Sequence, residues 1–199
     1  MQQTQNDDLQ ALFAYVTAIF ETANIPYMVV GGFAATVHGE PRFTIDVDIV
    51  ADMQRHHIQP FIDAFPVSDY YVSEEAIRDA LARRYPFNVI HSSTGAKIDI
   101  VPLPKDIFTR LAFQRRQRLA YDEVGHTADF ITAEDIILAK LMAHRETGSE
   151  KHLRDARGVL VTQWDQLNIS AIQRGAKGAG VLPVLERLLE SVRQDLEES

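Results

Sequence analysis

The sequence predicts an α+β protein, with a small mixed sheet and flanking helices over residues 1–131 and a helical region over residues 132–199. The first observation is an alternation of polar Thr44, Asp46 and Asp48 with apolar Ile45, Val47 and Ile49 in the segment 44–51, which is typical of a half-buried strand. The second is a helix start at Thr132, which precedes apolar residues at helical spacing. A chain of 199 residues suits one domain with a helical appendage, and we expect the boundary between these two regions.

Each element is predicted from the local spacing of apolar residues and from glycine, proline and capping side chains. In chain order, we expect a helix at 7–23, a strand at 27–30, a short helix at 33–38, a strand at 44–51, helices near 54–64 and 74–84, a hairpin from 87–91 and 97–101, a helix at 104–118, and a strand or hairpin at 119–131. Beyond these, we expect helices from Thr132 to His144 and near 150–163, 168–176 and 181–196.

Composition excludes several classes of protein. The chain has no cysteine, which excludes a disulfide scaffold and a thiolate metal site and fits a reducing compartment. Its hydrophobic residues, 46% of the total, allow a sizeable core. The first residues lack the basic and apolar segments of a signal peptide, and no apolar run approaches the roughly 18 residues of a membrane span. We therefore expect a soluble, cytoplasmic protein without a membrane partner.

Three aspartates form the candidate catalytic group. Asp46 and Asp48 lie two residues apart on a predicted strand, so their side chains point to the same face. Taken alone, such a pair is also typical of a solvated polar face. Asp99, however, lies within the apolar strand 97–101, where a carboxylate is costly unless it is paired or bound to a cation. Together the three aspartates favour a site for divalent cations.

Two features precede the acidic pair. Gly31 and Gly32 stand where a predicted strand ends and a helix begins, and glycine there lets backbone N–H groups approach a phosphate closely. Arg42 and Thr44 lead directly into the first aspartates. The spacing leaves room for one short helix and a turn between the glycines and the strand of the acidic pair.

These motifs resemble a known family. The glycine pair, the segment Arg42-Phe43-Thr44-Ile45-Asp46-Val47-Asp48 and a third aspartate on a later strand resemble the nucleotidyltransferase core of the DNA polymerase β superfamily. The resemblance is strongest to small stand-alone bacterial members, which include the toxin partners of abortive-infection and toxin–antitoxin systems. Residues 132–141 and 151–155 are similar to the "ED-hydrophobic-KL" and "KD-x-x-D" helices of those proteins, although His152 replaces the usual aspartate.

The resemblance covers about residues 27–160 and implies both a fold and a set of metal ligands. The implied fold is a polymerase β-type core followed by a C-terminal helical bundle. Asp46 and Asp48 would each bind two Mg²⁺ or Mn²⁺ ions, and Asp99 would bind the ion that activates the attacking hydroxyl. Two ions so placed stabilise the entering and leaving oxygens of an in-line displacement.

The resemblance also implies residues that bind the NTP. Gly31 and Gly32 would contact the β- and γ-phosphates. Arg42 would either reach a phosphate or hold Asp48, and Thr44 belongs to the same motif. From the helical half, Lys140 and Lys151 would offer positive charge to the triphosphate, and Asp155 keeps the later acidic position of its motif.

The acceptor of the implied reaction stays open between RNA, a protein hydroxyl and a small molecule such as an aminoglycoside. The formal net charge of -8 favours an acceptor other than a nucleic acid, whereas the basic run from Arg110 to Arg118 favours RNA. A cognate antitoxin or another operon partner is an expected binding partner, and the oligomeric state is left undetermined. The alternative is a non-catalytic nucleotide-binding or partner protein on the same scaffold.

Overall fold

The structure is a computed structural model that describes residues 2–40, 44 and 46–198. Contacts divide these residues into two units. The first runs to Phe33 and continues from Thr44 to Phe130, and the second contains residues 34–40 and 131–198. The units are defined by contacts and not by independent folding, so the domain boundary after residue 131 stays a prediction.

The first unit contains the strands and their flanking helices. In chain order these are α1 (Gln2–Thr22), β1 (Tyr27–Val30), the start of α2 (Gly31–His38), β2 (Asp46–Ala51), α3 (Ile58–Asp63), β3 (Tyr70–Tyr71), α4 (Glu74–Arg83), β4 (Phe87–His91), β5 (Lys97–Pro102), α5 (Ile107–Arg115), β6 (Gln117–Ala120) and β7 (Thr127–Phe130). This succession of helices and strands confirms the predicted α+β class.

The strands of the described residues form one mixed sheet in the order β3-β4-β5-β2-β1-β7-β6. At its centre, β2 runs parallel to β5 and antiparallel to β1, and β4 runs antiparallel to β5. Four side chains are fully buried: Val47 and Ile49 on β2, and Ile98 and Ile100 on β5. Asp46 and Asp48, which flank Val47 on β2, are partly exposed. One face of this strand pair therefore belongs to the core, and the other carries polar side chains.

Aromatic side chains hold helix α1 in the first unit. Phe13 packs edge-to-face against Tyr121 and Phe33, with ring centroids 4.8 Å and 5.0 Å apart. Phe20 stacks on Tyr27 of β1 at 5.3 Å. Aromatic pairs of this kind contribute about 0.5–1.5 kcal/mol each beyond the area that they bury. The helix therefore supports β1, the strand whose end carries the glycine pair.

The second unit contains the later helices. They are α6 (Ala133–Thr147), α7 (Glu150–Gln163), α8 (Ile169–Ala179) and α9 (Leu182–Glu197). The predicted start of α6 is confirmed, because Thr132 Oγ1 accepts a hydrogen bond from the Asp135 backbone N–H at 3.2 Å. Apolar side chains such as Leu141, Val159 and Leu185 are fully buried. Among the described residues, none of the helices combines the length and apolar character needed to cross a membrane.

Several element boundaries differ from those expected. Helix α2 begins at Gly31 instead of residue 33, so the glycine pair forms its first turn. The pattern at 54–64 is divided between a 3-10 turn at Arg55–His57 and α3. The helix expected at 104–118 ends at Arg115, because the following residues pair with β7 as strand β6. The antiparallel pairing of β6 with β7, which no residue within the helix reveals, overrides the local helical pattern.

Candidate functional site

The three predicted aspartates lie on one face of the sheet. In the parallel pair of β2 and β5, Asp48 is opposite Asp99 and Asp46 is opposite Lys97. Residues in register on neighbouring strands point to the same side of a sheet, and so do alternate residues of one strand. The polar side of this strand pair therefore carries Asp46, Asp48, Lys97 and Asp99, which we call the aspartate face.

Both carboxylate oxygens of Asp99 have a partner. Lys97 Nζ lies 2.8 Å from Asp99 Oδ2, and the two side chains are 42% and 19% exposed. Asn88, which faces Asp99 from β4, donates an amide hydrogen bond to Asp99 Oδ1. The ammonium and the amide offset the cost of placing a carboxylate within an apolar strand.

The three carboxylates of the aspartate face act on the charge of Lys97. Its hydrogen bond to Asp99 raises the pKa of the ammonium, against the opposing effect of partial burial. The negative charges of Asp99, Asp46 and Asp48 act in the same direction as the hydrogen bond. A protonated amine that three carboxylates stabilise indicates that this face attracts cations.

Gly31 brings the backbone close to Asp48. Its φ of +71° lies in the left-handed region, which glycine enters readily. A Cβ atom at this position would overlap Asp48 Oδ2 and lie 2.9 Å from the carboxyl carbon, so a side chain here would require the Asp48 carboxylate to shift. Because Gly31 begins α2, the backbone N–H groups at the positive end of this helix lie beside the aspartate face.

Thr44 is buried and orients Asp46. Its hydroxyl donates to the Asp46 backbone oxygen at 3.2 Å and lies 3.3 Å from Asp46 Oδ1. A position beside the first aspartate fits the motif in which Thr44 was predicted. Arg42, predicted to contact a phosphate or Asp48, lies outside the described residues.

The ligand atoms of the aspartate face suit a hard divalent cation. Mg²⁺ and Mn²⁺ prefer oxygen ligands, and this face offers three carboxylates. Within residues 2–40, 44 and 46–198, no three His, Cys, Asp or Glu side chains are already grouped so that they could hold an ion. The aspartates therefore suit a divalent ion by their oxygen ligands and by their position on one side of the sheet. In this structure the Lys97 ammonium supplies the positive charge at Asp99.

Comparisons with known proteins add the fold. No protein-family model matches the chain, and no curated protein matches its sequence. An antigenic nucleotidyltransferase-like protein from Paracoccidioides brasiliensis is 19% identical with a TM-score of 0.56, over 92% of this chain and 93% of that one. The solution structure of the antibiotic-resistance factor ANT(2″)-Ia is 15% identical with a TM-score of 0.53, over 100% of this chain and 99% of that one. The chain has the nucleotidyltransferase fold. The expected fold is thereby confirmed.

A third structure with the nucleotidyltransferase fold carries a bound antibiotic. The lincosamide antibiotic adenylyltransferase LnuA, lincomycin-bound, is 18% identical with a TM-score of 0.50, over 75% of this chain and 94% of that chain. The three likenesses each extend over at least 75% of this chain.

The second unit of this nucleotidyltransferase fold contains a buried ion pair. Lys140 Nζ lies 2.7 Å from Asp155 Oδ2, and the two side chains are 8% and 2% exposed. Burial and the nearby Lys140 charge lower the pKa of His152. Lys151 is exposed in the first turn of α7. The structure thus joins Lys140 and Asp155 to each other, and the triphosphate contacts expected of them and of Lys151 stay predictions.

Two residues around Asp99 were not among those predicted. Lys97 carried a readable signal, because it lies two residues before Asp99 on the same strand and must share its face. Asn88 carried no such signal, since its contact depends on the antiparallel register of β4 and β5.

A cavity of about 660 Å³ lies elsewhere in the first unit. It is lined by Met53, Gln54, Arg55, His56, Ile58, Arg78, Leu81, Ala82 and Arg84. The residues after the carboxyl ends of β2 and β5 lie near it, since Arg84 donates to the Leu103 backbone oxygen at 3.2 Å. Three arginines line this cavity, of which Arg78 is paired with Glu74 at 2.6 Å, and no lining residue belongs to the aspartate face.

The basic run from Arg110 to Arg118 is partly neutralised. Arg116 pairs with Asp129 at 3.1 Å, and its guanidinium lies over the Phe113 ring at 4.4 Å from the centroid. Arg118 pairs with Glu21 at 2.6 Å. Arginines bound to carboxylates of the same chain attract RNA phosphates less strongly, so this run supports an RNA acceptor less than its sequence indicates.

Proposed function

We propose that this chain is an enzyme that uses Mg²⁺ or Mn²⁺ to transfer a nucleoside monophosphate from an NTP to a hydroxyl acceptor, with release of pyrophosphate. The observation that carries the proposal is the aspartate face, in which three carboxylates share one side of two parallel strands. Gly31, which begins α2 against Asp48, adds a backbone suited to phosphates. The nucleotidyltransferase fold supports the same reaction.

Each residue of the aspartate face has a proposed role. Asp46 and Asp48 would hold two divalent ions, and Asp99 would hold the one nearer the acceptor hydroxyl. When bound, the ions supply positive charge to the entering and leaving oxygens of the displacement. Thr44 orients Asp46 through its hydroxyl. The first turn of α2, with Gly31 and Gly32, would hold the β- and γ-phosphates.

Further residues would bind the triphosphate. Arg42 belongs to the same motif as Thr44, and Lys140 and Lys151 offer positive charge from the helical half, as the family resemblance implies. Lys140 already neutralises Asp155 inside the second unit. Its proposed contribution is therefore weaker than that of a lysine without an acidic partner.

Labelled NTPs test the proposed reaction directly. The full chain would be incubated with each NTP labelled at the α-phosphate, with Mg²⁺ or Mn²⁺ and a panel of acceptors. We expect label on one acceptor class together with released pyrophosphate, and loss of both in Asp46→Asn and Asp99→Asn. Asp79→Asn is the matched control, because Asp79 is an exposed aspartate that pairs with Arg83 on α4. Transfer that persists in both site variants would refute the assignment.

The acceptor panel follows from three possibilities. LnuA is a lincosamide antibiotic adenylyltransferase, and ANT(2″)-Ia has been solved with adenylyl-2″-tobramycin, so a lincosamide and an aminoglycoside are included as small-molecule hydroxyls. Total RNA and total protein cover the other two classes. The net charge of -8 and the neutralised arginines of the basic run favour a small molecule.

The resemblance to toxin–antitoxin proteins adds a cellular role and a partner to the proposal. A toxin of this kind would arrest growth when expressed without its cognate antitoxin, and Asp48→Asn would restore growth. The rival function, a non-catalytic nucleotide-binding protein, would bind NTP without releasing pyrophosphate under any of the acceptor conditions.

A further inference from the structure

Asp99 has its carboxylate occupied by side chains of the same chain. Lys97 Nζ contacts Oδ2 at 2.8 Å, and the Asn88 amide donates to Oδ1. We propose that Lys97 is the resident counter-ion of the aspartate face, holding Asp99 while no divalent cation is bound and releasing it when one binds. This inference rests on the proposed function, because it takes Asp99 to be a metal ligand.

The competition follows from the shared oxygen atoms. A carboxylate offers two oxygens, and here one accepts from an amide and the other contacts an ammonium. A cation that approaches Asp99 must therefore displace at least one of these donors or share an oxygen with it. An ammonium and a divalent ion at the same carboxylate also repel each other, so the displacement of Lys97 is the favoured response.

The position of Lys97 allows this movement. Its side chain is 42% exposed, whereas that of Asp99 is only 19% exposed. Lysine carries its charge on a flexible stem that retains many conformations in water. The ammonium can therefore move into solvent while the strand backbone of β5 stays in its pairing with β2 and β4. Asp99 would stay oriented by Asn88 during the exchange.

A fixed structural pair predicts a different outcome. If Lys97 served only to stabilise β5, its removal would lower stability equally with and without metal and would leave metal affinity unchanged. If Lys97 is a resident counter-ion, its removal leaves Asp99 facing like charges from Asp46 and Asp48, which lowers the stability of the metal-free protein. The same removal relieves competition, so the metal binds more tightly.

Mn²⁺ binding to the full chain, followed by electron paramagnetic resonance, measures this competition without any turnover. We expect Lys97→Met to lower the Mn²⁺ dissociation constant about tenfold. Unscreened repulsion between the ammonium and the ion would give a larger effect, but Lys97 is partly exposed and solvent screens its charge. Lys97→Gln removes the charge but keeps a donor and should shift the constant in the same direction. Lys97→Arg keeps the charge and should retain the wild-type affinity.

Lys105→Met is the matched control, because it removes one charge from an exposed lysine in the loop before α5. It should leave Mn²⁺ affinity unchanged. Thermal melting completes the test: Lys97→Met should melt lower than wild type in EDTA, and the difference should shrink at saturating Mn²⁺. Equal or weaker Mn²⁺ binding by both neutral variants would overturn the role of Lys97 alone. Absence of Asp48-dependent Mn²⁺ binding in the wild type would overturn the proposed function as well.

Discussion

At Gly31, both the backbone conformation and the space around the residue favour glycine. Its φ of +71° disfavours any residue with a Cβ, and the space that a Cβ would need is taken by the Asp48 carboxylate. Gly95 provides a comparison within the same chain, because its φ is +72° and no atom lies within 4 Å of a built Cβ. Alanine substitutions at the two positions therefore share the cost of the left-handed conformation, and only that at Gly31 adds the cost of overlap with Asp48.

Gly31→Ala should consequently destabilise the protein more than Gly95→Ala. The left-handed conformation costs a non-glycine residue about 1–3 kcal/mol, and this cost is common to both variants. The overlap at Gly31 adds to it and moves Asp48, so Gly31→Ala should also weaken Mg²⁺-dependent NTP binding. Urea unfolding and calorimetric titration of both variants measure the two effects. Equal losses of stability would show that Asp48 moves aside freely.

The predictability of the site differs from residue to residue. Asp46 and Asp48 share a face because of strand periodicity alone, so their common orientation could be read from the sequence. That Asp99 faces the same side required the register of β2 with β5. The partners of Asp99 also depend on the pairing of β4 with β5: the sequence predicts this hairpin, but not that Asn88 pairs with Asp99 across it.

Helices α6 and α7 of the second unit are joined by the ion pair of Lys140 and Asp155. Because both side chains are almost wholly buried, Lys140→Met would remove the ammonium 2.7 Å from the Asp155 carboxylate inside the unit. We expect this variant to lose about 3–5 kcal/mol of unfolding free energy, which urea denaturation would measure. If Lys140 also binds the triphosphate, NTP should stabilise Lys140→Met less than it stabilises the wild type.

The double variant Lys140→Met/Asp155→Leu controls for this interpretation. It removes both charges, so it should lose less stability than the sum of the single variants. If the losses simply add, the two side chains do not interact in solution and the ion pair has no energetic role.

His38, at the end of α2, predicts how stability depends on pH. It is 5% exposed, its Nε2 donates to the Ile131 backbone oxygen at 2.6 Å, and burial lowers its pKa. The unfolded chain, with an ordinary histidine pKa near 6.5, then binds a proton more readily than the folded chain. Stability due to this residue is full above about pH 6.5 and is lost as the pH falls toward the lowered folded value.

We therefore expect the unfolding free energy to fall between about pH 7 and pH 5, by at most about 1.4 kcal/mol per pH unit for each such histidine. His152 and His57 have lowered pKa values and act in the same direction. In His38→Gln the slope should be smaller, because one titrating group is gone. Urea denaturation across this range measures both slopes, and parallel curves for the two proteins would contradict a buried neutral His38.

Whole elements were predicted better than their boundaries. Helix α9, expected at 181–196, lies at nearly that position because many residues contribute to its apolar periodicity, whereas α1, expected at 7–23, begins five residues earlier, at Gln2. Strand β3 was not predicted, since its two residues carry no periodicity. A strand or hairpin was predicted at 119–131, and β6 and β7 form that hairpin. Only the first two residues of β6 were assigned to the preceding helix, because their stabilisation comes from pairing with β7.

At the scale of the molecule, an acidic chain concentrates carboxylates on the aspartate face. The formal net charge is -8, so the metal-free folded state carries repulsion that a bound divalent ion relieves. Any ligand that binds only the folded state also stabilises it by mass action, by about 2.7 kcal/mol at 100 times its dissociation constant. A melting curve of the full chain therefore reports on ligand binding without knowledge of the acceptor.

The last prediction compares melting of wild type and Asp48→Asn, each with EDTA and with Mg²⁺ plus NTP. The substitution removes one charge while keeping the shape of a side chain that packs against Gly31. At about 2–4 °C per kcal/mol for a chain of this size, saturating ligand should raise the wild-type midpoint by about 5–10 °C. Asp48→Asn should fold, melt at or above the wild-type midpoint in EDTA because repulsion is relieved, and respond little to the ligands. Equal shifts in both proteins would show that Asp48 is not a metal ligand, and the proposed reaction would lose its central residue.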